Sequence, residues 1–148
     1  MEIDFRQAGP ADVDLLIPLV RAFYAHERME FDDVVARRAL TELLGDERLG
    51  RVHLIRAGAE PVGYLVLTFG FSLEFGGRDA FVDEIFVRDE WRGHGAGRRA
   101  LELAAAVCRD AGVRALHLEV DHANPRAQAL YRAAGFKDHD RYLMTRWL

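Results

Sequence analysis

The run Phe86-Val87-Arg88-Asp89-Glu90-Trp91-Arg92-Gly93-His94-Gly95-Ala96-Gly97-Arg98-Arg99 carries the clearest chemistry in the chain. A β-rich stretch ends, a short loop follows, and three glycines open a helical pattern. The first turn of a helix leaves backbone N–H groups without partners, and the helix dipole adds partial positive charge there. Glycines let a phosphate reach those donors with no Cβ in the way, and Arg92, Arg98 and Arg99 add full charges nearby. These are the ingredients of a diphosphate cradle. The structural alternative for such a turn is a close packing contact. A nucleotide P-loop is excluded, because no Gly-Lys-Ser/Thr follows. A dinucleotide unit matches the strand–glycine–helix order, with Glu119 or Asp121 available for a ribose. Its spacing does not match: the glycines run Gly-x-Gly-x-Gly, and the unit occurs once, late, behind two helices and a hairpin.

The elements that must position this run can be read from periodicity. Ile3 and Phe5 alternate with polar residues as a short first strand. Asp12 is the expected cap of a helix carrying Leu15, Leu16, Leu19, Val20 and Phe23, with Pro18 predicting a kink or a late start. Asp32-Asp33 caps a second helix with Val34, Val35, Leu40, Leu43 and Leu44, ending at Gly45. Residues 52–55 and 62–69 form a hairpin, 70–78 a loop, and 80–87 a fourth strand. Residues 93–110 form a long helix stopped by Gly112, and 113–121 a fifth strand. Asn124-Pro125 opens a last helix that closes at Gly135, and Phe136 with residues 142–147 supplies one or two final strands. The order β-α-α-β-β-β-α-β-α-β-(β) predicts an α/β (α+β) fold with a mixed, mostly antiparallel sheet of six to seven strands and helices on both faces.

The 148 residues amount to one domain, 1–148, and at 50% hydrophobic and 30% charged they have an ordinary globular composition. Cys108 is the only cysteine, which rules out an intrachain disulfide and a four-cysteine zinc site. The spacing of His117, His122 and His139 fits no metal site, so no metal is expected. No apolar run approaches the roughly 18 residues of a membrane span, and the opening Met1-Glu2-Ile3-Asp4-Phe5-Arg6 does not resemble a signal peptide. A cytoplasmic location with no membrane partner is the default expectation. A net charge of −4 argues against a general nucleic-acid binder.

Arg92-Gly93-His94-Gly95-Ala96-Gly97 resembles the Arg/Gln-x-x-Gly-x-Gly/Ala signature of the GNAT superfamily of N-acetyltransferases. Val82-Asp83-Glu84-Ile85-Phe86-Val87 is similar to the family's acidic fourth strand. The block from Leu118 through Asn124-Pro125 and Tyr131 to Gly135-Phe136 is similar to its strand-Asn-helix-Tyr-x-x-x-Gly-Phe segment. The resemblance covers essentially the whole chain and implies acetyl-coenzyme A as donor and a primary amine as acceptor. It implies that the backbone of Ile85, Phe86 and Val87 pairs with the pantetheine arm, with a bulge splaying this strand from the fifth. Arg92 and the segment Gly93, His94, Gly95, Ala96, Gly97 and Arg98 would hold the diphosphate. Asn124, with Arg126 and Ala127 beside it, would hold the cofactor arm, and Tyr131 would face the thioester sulfur. Asn124 and Tyr131 lie about two helical turns apart, so one ligand can touch both. Tyr24-Ala25-His26-Glu27-Arg28-Met29-Glu30 looks like the acceptor loop of the diamine and polyamine branch, which implies His26, Glu27 and Asp83 as acceptor contacts. Two departures are His26, where that branch commonly has Tyr, and the reversed order of the acids Asp83-Glu84. A homodimer is a further implication.

The implied chemistry makes demands on side chains. An aliphatic amine with a pKa near 10 is neutral in only about one molecule in a thousand at pH 7, and deprotonating it unaided adds roughly 4 kcal/mol to the barrier. A carboxylate at the slot lowers that cost. Adjacent strand residues point to opposite faces, so only one of Asp83 and Glu84 should face the acceptor; the resemblance favours Asp83, with Glu84 second. The bland alternative is a carboxylate paired with Arg78 or Arg88. A backbone N–H of the fourth strand would stabilise the oxyanion. Tyr131 would protonate the departing thiolate; its structural alternative is a core aromatic. Glu27, Glu30, Asp83, Glu84, Asp138 and Asp140, if convergent, would attract a cationic small-molecule or peptide amine. A catalytically idle acyl-coenzyme A sensor and a nucleotide-binding module are the competing functions.

Overall fold

A computed structural model describes residues 2–148; Met1 lies outside them. Five strands form one sheet in the order β1-β2-β3-β4-β5: Ile3–Gln7, Gly50–Ala57, Glu60–Ser72, Gly77–Val87 and Ala115–His117. The first three junctions are antiparallel and β4–β5 is parallel, so the sheet is mixed. Helices α1 (Val13–His26) and α2 (Asp33–Leu44) cover one face; α3 (Ala96–Asp110) and α4 (Pro125–Ala133) cover the other.

Period-two alternation sorts the strands between these layers. Val52, Leu54, Tyr64 and Val66 pack with Leu16, Leu19 and Val20 of α1, while Leu65, Leu67, Ala80 and Val82 pack with Leu101, Ala104 and Cys108 of α3. No helix among the described residues is long and apolar enough to cross a membrane.

Several expectations need correction. Asp12 occupies the N-cap position of α1 but its side chain makes no capping bond; its carboxylate accepts from Arg6 at 2.9 and 3.0 Å and from the Gly9 N–H at 2.8 Å. α1 starts at Val13 and runs through Pro18. The proline ring sits on the exposed side, where water can take the carbonyl its missing N–H leaves free. Val34 and Val35 of α2 are exposed, so its core face is Leu40, Leu43 and Leu44. The loop expected over 70–78 is only a tight turn, because Gly70, Phe71 and Ser72 pair with Asp79, Arg78 and Gly77.

The sheet has five strands rather than six or seven. Residues 142–147 carry a strand-like pattern but pair with nothing among the described residues: Tyr142 is 93% and Trp147 87% exposed. Only the root of this segment is tied down, by the two-pronged ion pair of Arg141 with Glu74 at 2.7 and 2.9 Å. A strand needs a neighbour's hydrogen bonds, and alternation alone does not provide one.

Candidate active site

The site is built where β4 changes direction. The β3–β4 register shifts between Val66 and Leu67: Val66 faces Glu84 and Leu67 faces Val82, leaving Asp83 as an extra residue in β4. This is a β-bulge, and it reverses the alternation. Ala80 and Val82 face α3, but so do Ile85 and Val87, while Phe86 packs with α1. Asp83 before the reversal and Glu84 after it therefore both turn to the α1 side. The expectation that only one of them faces the site is corrected by that single extra residue.

β5 pairs with β4 only from Asp79 to Phe81, not along the whole of 113–121. Beyond it the strands separate, and residues 118–121 become a wall. Phe23, Tyr24, Glu27, Asp83, Glu84, Ile85, Leu118, Glu119, Asp121, Asn124, Ala127 and Tyr131 line the resulting cavity of about 320 Å³. Five of its lining residues are carboxylates and none is Lys or Arg. Of the acids expected to converge, Glu27, Asp83 and Glu84 do so, joined by Glu119 and Asp121. Glu30 and Asp140 do not line it, and Asp138 is held by Arg132 at 2.6 Å.

The two central carboxylates differ. Both oxygens of Glu84 accept phenolic hydrogen bonds at 2.8 Å, one from Tyr24 and one from Tyr64. Asp83 is open to the cavity and accepts no hydrogen bond among the described residues; the crowding walls desolvate it and raise its pKa. Desolvation also raises Glu84, with the two phenols opposing the shift and Asp83 adding to it. Neither acid has a cationic partner among the described residues: Arg78 donates to the Ala111 carbonyl. Burial and the nearby Glu27 push the Tyr131 phenol up, so it is protonated at neutral pH. Its ring packs edge-on against Phe136, with centroids 6.2 Å apart.

Asn124 caps α4, its Oδ1 accepting from the Ala127 N–H at 3.1 Å, which leaves its amide hydrogens for a ligand. At the start of α3, none of the backbone N–H groups of residues 93–98 donates to a protein acceptor among the described residues. Gly93 and Gly95 both have φ +79°, and a Cβ at either would meet nothing within 4 Å. Left-handed backbone turns successive N–H groups outward into open space, the arrangement an anion nest requires. Gly97 differs: its Cβ position lies 3.5 Å from Leu130, so it sits against α4.

The arginines of this segment are mostly engaged elsewhere. Arg92 donates to the Val87 carbonyl at 2.9 Å, pairs with Asp89 at 2.7 Å and reaches His26 at 3.1 Å. Arg99 lies over Phe5 and donates to the Ile3 carbonyl. Arg98 is exposed with Glu102 3.6 Å away, and Arg126 is exposed outside the cavity lining. His26 lines a separate hollow with Phe86 and Arg88, apart from Asp83. Ile85, Phe86 and Val87 lie beyond the reach of β5, so their outer backbone edge is free of strand pairing.

Residues 18–136 match the model of the acetyltransferase (GNAT) family. The chain belongs to the GNAT acetyltransferase family. A thialysine N-epsilon-acetyltransferase of Bos taurus is 29% identical over 142 residues, covering 90% of this GNAT chain and 83% of that protein. An aminoglycoside N(6′)-acetyltransferase type 1 of Stenotrophomonas maltophilia is 30% identical over 145 residues, covering 95% and 90%. Among solved structures, an integron cassette protein from the mobile metagenome of Cole Harbour Salt Marsh is 42% identical, with a TM-score of 0.87 over 97% of this chain and 90% of that one.

Sequence reasoning missed Tyr24 and Tyr64 as partners of Glu84. The available signal was Tyr64 itself: an inward-facing strand tyrosine has a hydroxyl that needs a partner.

Proposed function

We propose that this chain is an N-acetyltransferase that moves the acetyl group of acetyl-coenzyme A to the primary amine of a small cationic acceptor of the diamine, polyamine or peptide-amine kind. The supporting observation is the cavity in which Asp83, Glu84, Asn124 and Tyr131 meet, walled by five carboxylates and no cation. Such a site concentrates an ammonium compound and repels anionic competitors.

The residues present fit coenzyme A. Amides at 93–98 without a protein acceptor among the described residues suit its diphosphate, the edge of Ile85 to Val87, left without a strand partner and with the Val87 carbonyl held by Arg92, suits its amide-bearing arm, and the Asn124 amide suits the arm's carbonyls. When bound, the cofactor supplies a thioester acyl group. Asp83, without a hydrogen-bond partner among the described residues and raised by desolvation, takes a proton from the acceptor ammonium and frees the nitrogen lone pair. That nitrogen bonds to the acyl carbon as the carbon–sulfur bond breaks, and a backbone N–H of β4 holds the carbonyl oxygen. Tyr131 gives its phenolic proton to the departing sulfur and is reprotonated through solvent by the second proton that the attacking nitrogen sheds, while Asp83 releases the first to solvent.

Mixing protein, acetyl-coenzyme A and a panel of amines while following free thiol tests this reading. Thiol release with diamines or other cationic amines is expected. Cofactor binding with no release across the panel would replace the enzyme with the acyl-coenzyme A sensor.

The chain is also proposed to act as a homodimer. Tyr142, Leu143, Met144, Trp147 and Leu148 are exposed, the outer edge of β5 is unpaired among the described residues, and a second copy can cover both and present the same surfaces in return. Light scattering should give a dimer for the full chain and a monomer for a chain ending at Arg141. A monomeric full chain at all concentrations refutes this.

A further inference from the structure

Glu84 sits in a setting that the reaction scheme does not by itself require. Tyr24 comes from α1 and Tyr64 from β3, and they reach different oxygens of one carboxylate, each at 2.8 Å. Tyr64 is fully buried. Its ring meets Phe23 and Phe86 with centroids 6.2 Å away, and the Tyr24 ring meets Phe23 at 5.8 Å and Phe31 at 6.0 Å. The aromatic packing fixes both phenols, and the phenols fix the carboxylate. Asp83, the adjacent bulge residue, has no comparable partner among the described residues.

We propose that Tyr24 and Tyr64 are positioning residues that clamp Glu84 as the anchor for the acceptor's positive charge, leaving the unclamped Asp83 as the base. The proposal rests on the N-acetyltransferase reading and divides labour between the two acids. A carboxylate oxygen that accepts one hydrogen bond keeps lone-pair capacity for an ammonium, so Glu84 can still bind a cation. Hydrogen bonds to the ionised form oppose the rise that burial imposes on Glu84, and its fixed rotamer sets where the ammonium rests. Asp83 has no donors among the described residues to stabilise its charge and can turn toward the proton. Two neighbouring carboxylates in unlike settings commonly take unlike roles. The other titratable groups lining the same cavity are Glu27 from α1, Asp83 from β4, Glu119 and Asp121 from the wall after β5, and Tyr131 from α4; none is cationic, and among the described residues the phenols that donate to Glu84 are Tyr24 and Tyr64.

The test uses Tyr24→Phe and Tyr64→Phe, each checked for a cooperative thermal transition; Tyr24 is the less buried site, so one variant remains informative if the other fails to fold. First, carboxyl-carbon NMR of the glutamate-labelled protein, with Glu84 assigned through Glu84→Gln, reads the clamp without any substrate. Losing one donor should raise the Glu84 midpoint by about one pH unit. Unchanged midpoints in both variants overturn the clamp. Second, amine kinetics read the division of roles. Each Tyr→Phe variant should show a several-fold higher amine KM on the acid side that recovers at higher pH, with kcat held. Glu84→Gln should raise KM at every pH, and Asp83→Asn should lower kcat. A fall in kcat with unchanged KM in Glu84→Gln makes Glu84 the base and overturns the division. An NMR shift with no thiol release from any amine would sink the acetyltransferase reading while leaving the clamp itself intact.

Discussion

Gly95→Val probes the anion cradle with little collateral damage. Gly95 has φ +79°, where a side chain costs about 1–2 kcal/mol of backbone strain. A Cβ there meets nothing within 4 Å, so no packing clash adds to that cost. For a chain of 148 residues this corresponds to a melting temperature lower by roughly 3–8 °C, and the protein remains folded at 25 °C. The valine side chain instead occupies open space beside the amides of residues 93–98, none of which has a protein acceptor among the described residues. Hydrogen bonds to a charged group contribute about 1.5–3 kcal/mol each, so displacing a diphosphate from even one amide weakens coenzyme A roughly 10- to 100-fold. Gly97→Ala is the matched control. Its Cβ would lie 3.5 Å from Leu130, an ordinary contact on the α4 side, and alanine improves helix propensity by up to about 1 kcal/mol. Calorimetric titration with coenzyme A should therefore show a large loss for Gly95→Val and near-normal affinity for Gly97→Ala. Equal affinity in Gly95→Val and the parent would show that the diphosphate does not lie on this turn.

Two further perturbations follow from local geometry. Tyr131→Phe removes the phenolic proton but keeps the ring against Phe136, so kcat should fall about 100-fold while coenzyme A affinity holds; unchanged turnover in the thiol assay removes Tyr131 from the acid role. The Arg6 guanidinium, helped by the Gly9 N–H, holds the Asp12 carboxyl below its usual range. A depressed folded pKa stabilises above the unfolded value near 3.9, and that stability is lost as pH falls through the lower folded value. Asp12→Asn should therefore lower the melting temperature at pH 7, with the gap closing below about pH 4; a gap that persists undiminished to pH 2 assigns the loss to something other than the Arg6 ion pair.

What could be read in the sequence was what neighbours in the chain decide. The glycine turn, the Asn124 cap and the shared face of Asn124 and Tyr131 each depend on a few consecutive residues; the structure puts Asn124 and Tyr131 in the cavity wall and opens α3 on the left-handed Gly93 and Gly95. Element order followed for the same reason. What escaped depends on pairing across space. The length of β5 depends on how far β4 stays parallel to it, and residues 142–147 have a strand's pattern without a neighbour's hydrogen bonds among the described residues. The destination of the arginines was equally nonlocal: Arg99 finds a carbonyl of β1, nearly a hundred residues away in the chain.

The extra residue at Asp83 has two consequences that the sequence could not separate. Without it, strict alternation would put Asp83 and Glu84 on opposite faces, one of them among the apolar side chains beneath α3. A buried, unpaired carboxylate there would be costly. With it, both acids face α1, and β4 bends where its pairing with β5 has ended. This bulge thus gathers the acids and coincides with the opening of the backbone edge beside them. Restoring the regular register would close the slot and bury a charge together, so the acidic pair and the open edge stand or fall as a unit.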